Sequence, residues 1–282
     1  MSGAPVLTTE HLLKTGRHGL KFEAGMAFAD FAGACRRVNL AAHLAWHDVL
    51  ARYRGSVLGP LWITLSMAAM VLGIGVLYAR LFKFELNDFL PFVAVSIVLW
   101  GTISTIILEG CDVFIAAGGI LRQTALPMFI FPIRLVLRAL INLGHNLIII
   151  AIILLIYRPS SLVGGLLAIA GLLVVLLNVS WIGTLAGIVS ARFRDVPQIV
   201  AAMIQFSMFM TPVFWKPDQV GSRRVLLELN PFYYMLDIVR SPLLGGTMNP
   251  KTWPVLSIMA VLGWTLAFSV FTGTRRRIVH YL

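Results

Sequence analysis

Charged residues are scarce in this sequence. Only 12% of its 282 residues are Asp, Glu, Lys or Arg, whereas 59% are hydrophobic. A soluble domain carries about twice that charged fraction. The scarcity excludes an ordinary soluble domain and predicts an all-α membrane protein, in which helices satisfy their own backbone hydrogen bonds within lipid.

Cysteines and other metal-binding patterns are nearly absent. The two cysteines, Cys35 and Cys111, both fall in segments that we predict to face the cytoplasm. Their spacing matches no metal site, and a reducing compartment gives no reason to expect a disulfide. We therefore expect no metal and no cofactor.

The chain also lacks an ATPase signature. A phosphate-binding loop needs glycine directly before a Lys-Ser or Lys-Thr pair. Lys is followed by Thr only at Lys14 and Lys251, and neither lysine follows a glycine. We assign no catalytic residue, so a pump built from this chain must use ATP hydrolysed on a separate subunit.

Residues 1–37 contain no signal-peptide pattern. We predict that residues 1–33 form a flexible cytoplasmic tail. Residues 34–54 combine apolar residues at helical spacing with Arg and His. This pattern is typical of an amphipathic helix that lies at the membrane interface.

The remaining residues, 55–282, form one predicted transmembrane domain. Its apolar runs are long enough for helices that cross a bilayer, which needs about 20 residues each. The six predicted spans are 56–79, 89–108, 130–157, 162–189, 198–214 and 253–271.

Positive charge fixes the predicted orientation. The net charge is +11, and Lys and Arg are concentrated in the tail, alternate loops and the C-terminal cluster 275–277. Under the positive-inside rule these segments face the cytoplasm, so both termini are inside. The same distribution argues against nucleic acid as a partner.

Two segments are too polar or too broken to cross. Residues 109–127 read as two short helices around a Gly-Gly break, at the cytoplasmic surface. The stretch 215–252 lies outside and contains only short apolar pieces.

Polar residues within spans have two interpretations. Asn142, His145 and Asn146 could form a substrate or proton site, but hydrogen bonding between helices is the commoner role. Gly183 and Gly187, four residues apart, favour close helix packing.

Aromatic residues follow the predicted pathway. Trp62, Phe209, Trp215 and Tyr234 lie on span one, on span five and in the outer stretch. They are either an interfacial belt or a lining, at the middle and outer end of a channel, on which sugar rings stack.

Four segments, in the same order along the chain, resemble segments of one protein family. RYRGSVLGPLW at 52–62 resembles the entry to the first span of ABC-2 type permeases that export O-antigen, capsule or teichoic acid. LEGCDVF at 108–114, with ILRQ at 120–123, resembles the gate region of that family. ARFRDV at 191–196 resembles its loop between spans four and five. NPFYY at 230–234, with IVRSPLLG at 238–245, resembles its outer re-entrant helices.

The resemblance implies a homodimeric channel in the bacterial inner membrane, with a dimer of ABC ATPase subunits bound beneath it. The cargo would be a polysaccharide on a pyrophosphate lipid. Arg52, Arg54 and Arg122 would meet the pyrophosphate, because arginine pairs well with phosphate oxygens. The coupling residues, which would contact the ATPase, are Glu109, Asp112 and Gly119.

Two other functions stay open. The cargo could be another lipid or a drug. Alternatively, the chain could be a membrane enzyme acting on lipid-linked sugars, although an enzyme should show an acidic or metal-binding cluster on a cytoplasmic loop.

Overall fold

The computed structural model describes residues 20–124, 126–157, 161–219 and 227–281. Helices dominate these ranges, and no strand occurs within them. In chain order the helices are α1 Leu20–Arg36, α2 Val38–Arg52, α3 Leu61–Leu81, α4 Leu86–Cys111, α5 Gly118–Gln123, α6 Ile130–Tyr157, α7 Leu162–Arg192, α8 Val196–Met210, α9 Pro231–Leu243 and α10 Thr252–Tyr281.

Five of these helices are long and apolar enough to cross a membrane. They are α3, α4, α6, α7 and the Thr252–Arg275 part of α10. They coincide with five of the six predicted spans, so the all-helical, multi-pass character of the protein is confirmed.

The remaining predicted span, 198–214, corresponds to α8. Val196–Met210 has 15 residues and is therefore about 22 Å long, which is less than the roughly 30 Å of a bilayer's hydrocarbon core. Thr211 ends the helix in an extended conformation. The count of six spans stays a prediction.

The N-terminal region contains helix α1, which covers Leu20 to Arg36. This helix occupies the end of the region 1–33, and the flexibility that we expected of that tail stays a prediction. Residues 1–19 of that tail lie outside the described residues. The expected interfacial helix 34–54 corresponds mainly to α2, which is separated from α1 at Arg37.

Helix α4 is the centre of the bundle. Most of its residues are buried, and it packs against α3, α6 and α7. Glycines allow its closest approach to α7: a Cβ on Gly110 would lie 2.6 Å from Gly183 Cα, and one on Gly187 would lie 2.6 Å from Gly110 O. The predicted close packing at Gly183 and Gly187 is thus present, and it holds the end of α4 in place.

A second apolar cluster joins the first helix to the start of α6 and the end of α10. Its central rings are Phe129 and Phe271, whose centroids lie 4.5 Å apart in an edge-to-face arrangement. Phe114, directly after α4, is fully buried in the same cluster. This packing fixes the turn that leads from α4 into α5.

Candidate functional site

The segment predicted to couple to an ATPase begins at the end of α4. Glu109 lies in the last turn of that helix, and Asp112 is its exposed C-cap. The chain then turns, and Gly118 starts the short helix α5. The expected Gly-Gly break is therefore the beginning of the second short helix, and Gly119 is exposed with open space where a Cβ would be.

Five charged side chains from three helices form one cluster beside this segment. Glu109 accepts hydrogen bonds from Arg52 Nη2 at 3.0 Å and from Arg138 Nη2 at 2.5 Å. Asp48 accepts from Arg138 Nη1 at 3.2 Å and from Arg134 Nε at 2.7 Å. We call these residues, Asp48, Arg52, Glu109, Arg134 and Arg138, the charged cluster.

Helix geometry explains why these charges meet. Asp48 and Arg52 are four residues apart on α2, and Arg134 and Arg138 are four apart on α6, so each pair shares one helix face. α2 packs along α6, and the end of α4 brings Glu109 between them. The cluster therefore joins the N-terminal helices to residues 109–123, the segment predicted to couple to an ATPase, which we call the coupling segment.

The three arginines expected to meet pyrophosphate are not brought together as a group. Arg52 lies within the charged cluster, yet 53% of its side chain is exposed. Arg54, after α2, and Arg122, on α5, are both exposed. Of the coupling residues, Glu109 belongs to the cluster, whereas Asp112 and Gly119 lie on the neighbouring surface.

A cavity of about 310 Å³ opens beside the charged cluster. Arg52, Glu109, Asp112, Arg134 and Arg138 line it, together with Ala and Val side chains of the coupling segment. Both signs of charge face this space, so it is polar and able to hold water or a charged headgroup.

The four candidate lining aromatics occupy different environments. Trp62, in the first turn of α3, is 45% exposed, and Phe209, near the end of α8, is 64% exposed. Trp215 is half-buried and donates its indole N–H to Phe209 O at 3.2 Å. Tyr234 is only 3% exposed, and its hydroxyl donates to Glu228 O at 3.1 Å.

Position along the bundle also separates these rings. Trp62 follows α2 by ten residues and so lies toward the end of α3 that adjoins the charged cluster. Trp215 follows Phe214, whose ring centroid lies 6.0 Å from that of Tyr78 near the other end of α3, and Phe209 is hydrogen-bonded to Trp215. Within a single chain, therefore, these aromatics do not form one continuous surface.

A second polar centre, which the sequence reading did not identify, lies on α9. Arg240 is 3% exposed and donates through Nη1 to Ser96 Oγ at 2.9 Å and to Pro212 O at 2.7 Å. The Phe92 ring lies 4.1 Å from its guanidinium carbon. Burial lowers the pKa of Arg240 to about 10, so the group is still charged at neutral pH.

Asp237, one turn before Arg240, organises the start of α10. It accepts hydrogen bonds from Ser241 Oγ at 2.6 Å, Asn249 N at 3.1 Å and Thr252 Oγ1 at 2.7 Å. The only sequence signal for this centre was two charges, Asp237 and Arg240, within a short apolar piece. Buried charges of that kind need partners, and those partners come from distant parts of the chain.

An open cavity of about 760 Å³ adjoins this centre. At its rim Lys251 Nζ lies 2.8 Å from Glu228 Oε2. The hydrogen bond and the charge of Glu228 raise the pKa of Lys251 above its usual range. Because this pair is exposed, it contributes little to stability.

Metal-ligand geometry is not found in the described ranges: no group of three His, Cys, Asp or Glu side chains there could hold a metal ion.

An all-helical bundle with five helices long and apolar enough to cross a membrane is the architecture of a multi-pass membrane protein. The ABC-2 type transporter family matches residues 40–244 of the chain. This match covers more than half of the sequence, and the chain belongs to that family.

Two proteins of similar sequence indicate which members of this family the chain resembles. The chain is 22% identical over 240 residues to the O-antigen export system permease protein RfbA of Klebsiella pneumoniae, covering 83% of this chain and 92% of the relative. It is 24% identical over 243 residues to the protein of the same name from Myxococcus xanthus, covering 84% and 93%. The similarity to O-antigen export permeases thus extends over most of both chains.

Proposed function

We propose that this chain is the membrane-spanning subunit of an ABC exporter that moves a lipid-linked polysaccharide of the O-antigen or capsule type across the bacterial inner membrane. The similarity to two O-antigen export permeases over most of the chain supports the cargo class. ATP would be hydrolysed by a separate ATPase subunit, since the sequence contains no phosphate-binding loop.

The position of Glu109 carries the coupling part of this proposal. Its carboxylate bridges Arg52 of α2 and Arg138 of α6 at the point where α4 turns into the surface segment. A movement of an ATPase against the turn after α4 or against α5 would therefore pull on two membrane-associated helices at once. Asp112 and Gly119, exposed on the same segment, would contact the ATPase directly.

A second copy of the chain would complete the channel. Helix α3 is the least buried of the five membrane-length helices, and its exposed face is rich in Leu and Val. An apolar face of this kind needs lipid or another chain against it. In the proposed homodimer both termini are cytoplasmic and α8 contributes the sixth crossing.

The cargo lipid would enter near the charged cluster. Arg54 after α2 and Arg122 on α5 are exposed cations, and Arg52 is only partly engaged. Guanidinium groups bind phosphate oxygens in pairs, so each of these three residues is proposed as a contact for a pyrophosphate at the interface. Trp62, Phe209 and Trp215 are proposed to guide the sugar chain further along, and the buried Tyr234 to support this path by packing.

An ABC-2 permease for another lipid or a drug is the alternative function. It would share the coupling machinery and differ only in cargo. The kind of cargo is therefore tested separately from the assignment as an ABC exporter.

The test co-expresses the chain with its ATPase partner and measures surface polysaccharide, ATP hydrolysis and membrane abundance. The chain alone should not hydrolyse ATP, and loss of either subunit should leave the lipid-linked polysaccharide inside the cell. Normal surface polysaccharide without the chain would reject the proposed cargo.

Coupling is tested by breaking α5. Leu121 N donates to Ala117 O at 2.9 Å, so Leu121→Pro removes a helical hydrogen bond. Gly119→Pro is a milder change, because proline is tolerated in the first turn of a helix. Leu121→Ala is the control, since it keeps the hydrogen bond from residue 121 N to Ala117 O. Leu121→Pro should uncouple ATP turnover from export while the dimer still assembles.

A further inference from the structure

A polar stripe runs along one face of α6 into its membrane-spanning part. Arg134, Arg138, Asn142 and Asn146 follow one another at four-residue intervals, which places them on one side of the helix over about 18 Å. Polar residues this deep in an apolar helix need partners or a polar space beside them.

Asn146 lacks one of those partners. Its side chain is 6% exposed, and within the described ranges its Oδ1 is buried without a hydrogen-bond donor. Leaving such an acceptor unpaired is costly. The oxygen is closed off in this rotamer, and a rotation of the amide into the cavity that Asn146 lines would let an O–H or N–H group from outside the chain donate to it. His145, its neighbour, is engaged: its backbone oxygen accepts from Thr64 Oγ1 at 3.0 Å.

A cavity of about 190 Å³ faces this amide. It lies between α3, α4 and α6, and its polar lining comes from Arg52, Ser66, Thr102, Thr105, Asn142 and Asn146. Thr102 donates its hydroxyl to Val98 O at 3.1 Å, so its oxygen can still accept. The lining of this space thus presents hydroxyl oxygens, two side-chain amides and one cation.

Arg52 joins this cavity to the charged cluster. It lines both this space and the 310 Å³ cavity below it. The hydrogen bond to Glu109 uses only its Nη2, and a guanidinium has five donors. Arg52 can therefore keep Glu109 and still bind an anionic oxygen.

The apolar side of the same region suits a lipid tail. Ile63, Met67 and Leu143 form an apolar wall of the polar cavity, and Leu61 and Leu65 on the same helix α3 are exposed. A ligand with a phosphate, hydroxyl groups and hydrocarbon would match Arg52, the polar lining and this apolar wall in turn. A soluble phosphate would use only the first.

We infer that the seam between α3, α4 and α6 is a binding groove for a lipid headgroup that carries a phosphate and hydroxyl groups. The phosphate lies against Arg52, and a hydroxyl donates to Asn146 Oδ1. A glycerol headgroup and the first sugar of a pyrophosphate-linked glycan share this chemistry. The sugar source deepens the function proposed above and depends on it; the groove itself does not.

The experiment compares lipids that differ in hydroxyl donors. The purified permease–ATPase complex is titrated with phosphatidylglycerol and with undecaprenyl pyrophosphate bearing one hexose. Phosphatidylcholine and phosphatidylmethanol are the comparison lipids, because their headgroups have a phosphate but no O–H or N–H donor, and phosphatidylmethanol has the same charge as phosphatidylglycerol. Bound lipid is counted by native mass spectrometry. The hydroxyl-bearing lipids should be preferred, and Asn146→Leu should reduce that preference about two- to tenfold, the range for one hydrogen bond.

Two further variants protect the test against misfolding. Asn142→Leu removes a half-buried amide of the same stripe, and Thr265→Val on α10 removes an exposed hydroxyl that bonds only to its own helix. The first should weaken hydroxyl-dependent binding, and the second should not. Equal binding of phosphatidylglycerol and phosphatidylmethanol, or unchanged preference in both Asn variants, would mean that the seam holds water only and would overturn the inference.

The lipid titrations and the export measurement also test this inference separately from the proposed function. Preference for phosphatidylglycerol alone would support a groove for a resident lipid, and the cargo would then use another route. Preference for the undecaprenyl probe, with lower surface polysaccharide in Asn146→Leu, would place the groove on the export path. Failure of polysaccharide export to depend on the chain at all would reject the proposed function and leave the lipid measurement standing.

Discussion

Asp30 and Phe129 are 99 residues apart in the sequence, yet Asp30 Oδ2 accepts a hydrogen bond from Phe129 N at 3.0 Å. The other carboxylate oxygen accepts from Met128 N, also at 3.0 Å. These N–H groups lie just before α6, at the end of that helix where backbone donors have no partner within the helix. Asp30 of α1 thus acts as a cap supplied by a distant segment.

Asp30→Ala should lower the stability of the protein by about 1–2 kcal/mol, the usual cost of losing a cap. Two backbone donors would lose their acceptor in a part-buried place. The measurement is thermal unfolding of the purified protein in detergent, with Asp88→Ala, an exposed aspartate in the first turn of α4, as control. Equal stability of the two variants would contradict the capping role.

Glu109→Gln should reduce coupling between ATP turnover and export. The substitution keeps the shape of the side chain but removes the charge that holds Arg52 and Arg138. We expect export per ATP hydrolysed to fall about tenfold, equivalent to about 1.4 kcal/mol, with ATP hydrolysis retained. Both rates are measured on the reconstituted complex.

Asp88→Asn provides the control for the loss of a charge. Asp88 lies in the first turn of the same helix α4, is exposed and takes no part in the charged cluster. A defect of equal size in both variants would show that surface charge, and not the bridge through Glu109, matters. The double variant Arg52→Gln with Glu109→Gln should be less impaired than the sum of the single ones, as coupled residues are.

Arg240→Met should destabilise the packing of α9 against α4. It removes the hydrogen bonds to Ser96 Oγ and Pro212 O and leaves a buried carbonyl without its donor. We expect a loss of about 3 kcal/mol, the size seen when a buried charged interaction is broken. Thermal unfolding measures it, and Ser96→Ala, which removes one of the two bonds, should cost about 1 kcal/mol.

Long apolar runs determined what the sequence could predict. Each of the five membrane-length helices was recognisable because local hydropathy alone defines it. The end of α8 was harder, because Thr211 to Phe214 are buried by contacts with other segments and look like a continuation of the helix in sequence.

The partners of charged residues within helices, in contrast, could not be predicted from the sequence. Arg134 and Arg138 lie near the start of a long apolar run, and their partners are Asp48 and Glu109. Pairing between residues about 30 to 90 positions apart depends on tertiary packing, which a single sequence does not display. A regular four-residue spacing of polar residues on α6 was the available signal.

The last prediction concerns the aromatic residues. Trp62 and Phe209 expose about half or more of their surface in the single chain, whereas Tyr234 is buried. If the exposed rings guide a sugar chain, Trp62→Leu and Phe209→Leu should lower export at normal membrane abundance. Stacking on an aromatic face is worth about 1–3 kcal/mol for nucleic-acid bases, and we expect less for sugars, hence a loss of a few-fold for each.

Variants of Tyr234 and Trp215 distinguish guidance of the sugar chain from packing within the protein. Tyr234→Phe keeps the buried ring and removes only the bond to Glu228 O, so it should export normally, whereas Tyr234→Leu should reduce abundance through lost packing. Trp215→Leu loses both a ring and the bond to Phe209 O and should show both effects. The readout is surface polysaccharide divided by membrane protein level. Normal corrected export in the Trp62, Phe209 and Trp215 variants would reject the aromatic lining and leave an interfacial belt, because residues that face lipid affect insertion and stability without slowing transport per molecule.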